Sequence, residues 1–158
     1  MTTKRALDEF EGKSPFQQVG FLSSSGRVAP VAEHTASFEA GNLTIRVETR
    51  PDPAPGEPRG PSILVCASGS WDERLRFDLI DGTLHYHYVA PEGVDRVVVY
   101  DEAACGPMLD WVGGCLEGRL ATMLRRAGAD ILADGMDADA VRSVVPAVLD
   151  LARPQVTT

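Results

Sequence analysis

The dipeptide Asp81-Gly82 stands between two stretches in which apolar and polar residues alternate, ERLRFDLI at 73–80 and TLHYHYVA at 83–90. Asp-Gly between alternating segments is a strong signal for a two-residue hairpin turn. It fixes the pairing register residue by residue. Ile80 faces Thr83, Leu79 faces Leu84, Asp78 faces His85, Phe77 faces Tyr86, Arg76 faces His87 and Leu75 faces Tyr88. Because strand side chains alternate between faces, this register sets Leu75, Phe77, Leu79, Leu84, Tyr86 and Tyr88 on one face. Arg74, Arg76, Asp78, His85 and His87 occupy the other.

The same alternation marks a strand at NLTIRVET (42–49), and an unbroken apolar run at SILVCAS (62–68) marks a central one. Between them, RPDPAPGEPRGP (50–61) carries five prolines and two glycines, so it reads as a surface loop. A fifth strand, VDRVVVY (94–100), follows Ala90-Pro91-Glu92-Gly93. A connection of two or four residues there pairs Val89 with Val94, which puts Arg96, Val98 and Tyr100 on the histidine face.

The period then changes. In GPMLDWVGGCLEGRLATMLRRAG (106–128), Leu109, Val112, Leu116, Leu120, Met123 and Ala127 recur at three- and four-residue steps, so one helix is expected. Its glycines Gly113, Gly114 and Gly118 weaken a helix, which suggests close contact, most simply with the sheet, or else with another helix or a subunit. A second helix opens at the cap residue Asp137, and Pro146 should kink or divide it. The expected fold is therefore α+β. A roughly five-stranded antiparallel β-meander carries two C-terminal helices packed on one face. Residues 41–153 form the single domain, preceded by an irregular or mobile segment 1–40 and followed by a tail 154–158.

Composition narrows the partners. The 158 residues carry a formal charge of −8, which repels phosphate backbones and anionic lipid surfaces, so neither nucleic acid nor membrane is an expected partner. The apolar runs are too short to span a bilayer, and the N-terminus lacks the apolar region of a secretory signal. A cytoplasmic location is expected. Cys66, Cys105 and Cys115 show no CxxC spacing, so reduced thiols are expected rather than a disulfide framework or thiolate zinc site.

Function, if it resides in a chemical site, is expected around His85 and His87. The first reading is a solvated outer sheet face. The next is a binding or accessory protein that takes a small anionic ligand on Arg76, His87 and Arg96, or a subunit, with a homodimer as one form. The alternative is a small enzyme in which Asp78 orients His85 as acid or base and Tyr100 donates a proton. A divalent metal on His85 and His87 is the least favoured use, because two ligands do not make a site and His34 is unplaced. His87 and Glu92 share a spacing with part of the cupin motif, but Leu79 and Val99 stand where its glycines belong, so the chain is not read as a cupin. Cys105, just ahead of the first helix, is the cysteine with some claim to reactivity. DGMDAD at 134–139 reads as a helix-capping turn rather than a calcium loop.

Overall fold

The computed structural model describes residues 19–22 (backbone), 30–49, 55 and 59–153. Seven strands form one antiparallel sheet: β1 (Val19–Leu22), β2 (Thr35–Ala40), β3 (Leu43–Glu48), β4 (Ser62–Ala67), β5 (Glu73–Asp78), β6 (His85–Val89) and β7 (Asp95–Val99), in the order β1-β7-β6-β5-β4-β3-β2. Six of them, β2 to β7, form a continuous meander, each strand paired with the next in sequence. The sheet thus extends beyond the expected five strands, with β2 at one edge and β1 beside β7 at the other. The remainder of 1–40, most of the proline-rich loop and the tail 154–158 lie outside the described residues.

The register predicted from Asp81-Gly82 is the one observed, with Leu75 opposite Tyr88, Arg76 opposite His87, Phe77 opposite Tyr86 and Asp78 opposite His85. The next hairpin differs by one residue. Val89 pairs with Asp95, so the connection is Ala90–Val94, closed by hydrogen bonds from Ala90 N to Val94 O (2.9 Å) and from Gly93 N to Ala90 O (2.8 Å). Gly93 supplies a φ of 93°, which its neighbours would adopt only with strain. An odd loop length reverses the faces of β7. Asp95, Val97 and Val99 join the histidine face, while Arg96, Val98 and Tyr100 turn to the helices.

Five helices follow the sheet: α1 (Glu102–Cys105), α2 (Met108–Gly118), α3 (Leu120–Arg126), α4 (Asp130–Asp134) and α5 (Ala138–Ala152). The single helix expected over 106–128 breaks at Arg119, whose φ of −128° and ψ of 2° leave the helical region directly after Gly118. Asp137 caps α5 as expected, its side chain accepting from Ala140 N at 3.0 Å. Pro146 does not divide α5. It lies on the exposed side, where water can satisfy the carbonyl it releases.

The helices pack on one sheet face. α5 crosses β2, β3 and β4, α3 lies over β5 and β6, and α2 packs on α5. The core between the layers includes Leu43, Ile45, Val47, Ile63, Val65, Leu75, Phe77, Val112, Leu116, Leu120, Leu124, Val141, Val145 and Val148. Trp111 anchors it with edge and tilted contacts to Phe77, Tyr86 and Tyr100 at 4.9 to 6.0 Å between centroids. Among the described residues, no helix is long and apolar enough to cross a membrane.

The three glycines of α2 separate into different roles. A Cβ at Gly113 would lie 2.9 Å from Leu149 Cδ1, so this glycine lets α2 approach α5, a helix-helix contact rather than the sheet contact expected. Gly114 and Gly118 have nothing within 4 Å of such a Cβ. Gly114→Ala should therefore stabilise the protein by up to about 1 kcal/mol, the usual gain of alanine over glycine in a helix. Gly113→Ala should gain less or lose stability, because Leu149 must move. The difference between the two midpoints in urea unfolding measures this, and equal midpoints would remove the packing role of Gly113.

Candidate functional site

Alternation along β3 to β7 places a set of polar residues opposite the helical layer. Row by row, the register brings Glu48, Ser62, Asp78 and His85 into line across four strands, and Arg46, Leu64, Arg76, His87 and Val97 across five. A bulge at Val65-Cys66 puts Glu73 opposite Cys66. The expectation that this face is solvated fails. Relative exposure is 0% for His85, 1% for His87, 1% for Asp78, 4% for Arg76 and 0% for Asp95. Charged groups tolerate such burial only when they satisfy one another, and here they do so around Asp78.

The two oxygens of Asp78 have different partners. Oδ1 accepts from Ser62 Oγ at 2.5 Å and from Arg76 Nε at 2.9 Å. Oδ2 faces the imidazoles, 2.9 Å from Nε2 of His85 and 2.9 Å from Nε2 of His87. Burial alone would raise the Asp78 carboxyl, but the Arg76 guanidinium and the two imidazoles hold it well below the usual carboxylate range. Arg76 also reaches Glu73, at 3.8 Å.

The histidines differ in their partners. His87 donates from Nε2 to Asp78 and from Nδ1 to Asp95 Oδ1, both at 2.9 Å. Burial opposes its charged form, yet the two carboxylates prevail and push its pKa up to about 9. His85 is oriented by the chain itself, its Nδ1 donating to the carbonyl of Thr83, two residues back in the connection that leads into β6. Its Nε2 is close to Asp78 Oδ2 but makes no directed hydrogen bond. A buried polar atom left so costs about 1–3 kcal/mol. The rings meet edge to face at 5.1 Å between centroids.

Further along the face, Arg46 donates to Ser37 Oγ at 2.5 Å and to Ser70 O at 2.8 Å and stacks 3.8 Å above the half-exposed Trp71. Glu48 accepts from Val31 N at 2.5 Å.

Of the residues expected to act together, His85, His87, Asp78 and Arg76 do converge. Arg96 and Tyr100 do not, because the five-residue turn carries them to the helix face. There Tyr100 donates to Gly106 O at 2.5 Å, and its ring lies 5.1 Å from Trp111. Arg96, opposite Tyr88 across the strand pair, lines a hollow of about 140 Å³ with Arg125, Arg126 and Gly128. His34 ends a short exposed 3-10 turn (Ala32–His34), outside the cluster. Cys105, exposed, ends the four-residue α1 and lies three residues ahead of Met108, where α2 begins. Cys66 and Cys115 are buried, and desolvation pushes both thiols up to about 11. Asp95 and Glu73 are members that the sequence reading missed. The signal for Asp95 was the parity of the turn before it.

The cluster dictates a pH response of the ion-free protein. His87 is raised above its unfolded value of about 6.5, so its contribution is fully present below about pH 6.5 and is lost as pH rises through about 9. Asp78 is depressed, so its contribution is present above about pH 3.9 and is lost as pH falls through its lower folded value. The melting temperature of chelator-treated protein should therefore fall by several degrees from pH 6.5 to 9.5. His87→Gln should be less stable throughout and lack that alkaline decline. An unchanged decline in His87→Gln would assign it to another group.

No curated protein and no solved structure shows detectable similarity to this chain. The model of a domain family of unknown function, DUF7700, matches residues 37–152, from β2 to the last residue of α5, and the chain belongs to that family.

Proposed function

We propose that the protein is a small cytoplasmic binding or accessory domain rather than an enzyme, and that its ligand is a small anion. The observation that carries this reading is the gathering of Arg96, Arg125 and Arg126 around one hollow, in a chain whose formal charge is −8. Three guanidinium groups in an acidic protein form a local attractor for carboxylate or phosphate oxygens, which they bind through paired donors. Arg126 lies 5.5 Å from the Tyr88 ring, which restricts its side chain, and Arg125 is paired with Asp134 at 2.7 Å. Glu92 also lines the hollow, and its charge opposes that of the arginines. The volume, about 140 Å³, suits a small ion or metabolite fragment.

Of the three residues expected to hold an anion, Arg76 and His87 are buried in the Asp78 cluster, and Arg96 lies with its helix-side neighbours instead. Burial argues against catalysis by His85 and Asp78. A general base has to come within hydrogen-bond reach of a substrate proton, and His85 is 0% exposed with Tyr100 on the opposite face.

Titration of labelled protein with phosphate, citrate and malonate, followed by backbone NMR, tests the reading. At least one anion should shift resonances at 94–96 and 125–128, more strongly at low salt. Arg126→Gln should weaken it about tenfold or more, the effect of losing a charge-assisted contact. Shifts elsewhere, or none at millimolar anion, would overturn the reading.

A further inference from the structure

The convergence of Nε2 of His85, Nε2 of His87 and Oδ2 of Asp78 has a chemistry that the arginine hollow does not share. These three atoms lie within 4.8 Å of one another, all on buried residues, and no other such group of His, Cys, Asp or Glu occurs among the described residues. We propose that they bind a divalent first-row transition-metal ion, with zinc as the reference case, and that the ion is structural.

The hydrogen bonding of the two Nδ1 atoms is the first support. Each imidazole has its Nδ1–H committed outward, that of His85 to the Thr83 carbonyl and that of His87 to the Asp95 carboxylate. A neutral imidazole held this way carries its lone pair on Nε2, and both Nε2 atoms turn toward the same carboxylate oxygen. Metal-bound histidines are oriented by this kind of outer hydrogen bond, to a backbone carbonyl or a carboxylate. His85 adds an independent observation. Its Nε2 is buried, aimed into the cluster and 2.9 Å from Asp78 Oδ2 without a directed hydrogen bond, a geometry that a Lewis acid between the two atoms would satisfy.

Spacing is the second support. Bonds of about 2.0–2.2 Å to nitrogen and oxygen put adjacent ligand atoms about 2.9–3.5 Å apart, depending on the angle at the metal. Both nitrogen-oxygen separations are 2.9 Å, at the lower end of that range. The division of labour on Asp78 is the third. Ser62 and Arg76 hold Oδ1, and Oδ2 is left to the imidazoles. On binding, the proton that His87 Nε2 shares with Oδ2 passes to solvent, and the ion takes its place. Imidazole and carboxylate favour zinc, cobalt, nickel or iron over calcium or magnesium. Near-zero exposure of all three ligands gives a substrate no approach, which makes the ion a pin across β5 and β6 rather than a reaction centre.

Untagged protein stripped with a chelator and titrated with Co²⁺ or Zn²⁺ tests the proposal. One ion per chain should bind, visible as Co²⁺ absorption bands and as a Zn²⁺-dependent rise in melting temperature. Asp95→Asn should weaken binding about 10- to 100-fold by releasing the outer hydrogen bond of His87. His85→Ala should abolish stoichiometric binding, and His34→Ala should leave it unchanged. If His85→Ala fails to fold, imidazole nitrogen NMR of the wild type decides, since Zn²⁺ should move the Nε2 signals of His85 and His87 and not those of His34. Folded, stripped protein that takes up neither ion, or Zn²⁺ that moves other histidine signals, would overturn the proposal.

Discussion

The Asp78 carboxylate is buried in the middle of a sheet, and much of the local architecture compensates it. Its own strand supplies Arg76, β4 supplies Ser62, and β6 supplies the two imidazoles, so three strands converge on one carboxyl group. Asp95 then extends the chain of contacts to β7 by holding the far side of His87. The sheet is thus tied laterally in two ways. Apolar packing acts on the helix face, and directed polar contacts act on the other.

The two kinds of contact contribute differently. The helix-face core removes apolar side chains from water, the dominant favourable term in folding. A buried ion pair gives much of its attraction back as desolvation, and a well-packed apolar replacement is often as stable. The polar face therefore adds modestly to total stability, while the loss of one member leaves a charge or donor stranded.

The hairpin around Asp81-Gly82 was legible in the sequence because a two-residue turn and strict alternation specify one register. The assignment of Tyr86 and Tyr88 to the core face followed from it. Burial of the histidine face was not legible. The alternation in NLTIRVET is the same whether Thr44, Arg46 and Glu48 meet water or pair with residues on other strands. The β6–β7 turn was misjudged by one residue, because Pro91-Glu92-Gly93 is compatible with several loop lengths and only the hydrogen bonds at Ala90 and Val94 select five. That single residue exchanged Arg96 and Tyr100 for Asp95. Gly113 illustrates a further limit. Its need for space was readable, but whether sheet or helix filled that space depended on where α5 crosses.

Parity ties these features into one constraint. A slip of β6 by one residue against β5 would carry Tyr86 and Tyr88 out of the core and bring His85 and His87 into it. In the same movement Asp78 would lose both imidazoles and keep only Arg76 and Ser62. The apolar face penalises the slip through lost packing and the polar face through stranded charge. The two penalties add because every residue that leaves one face enters the other. A sheet buried on only one side has the first penalty alone. Here the ionic face, modest in its net stabilisation, sharpens the choice among registers, and the five-residue turn that places Asp95 opposite Val89 extends that choice to the third strand.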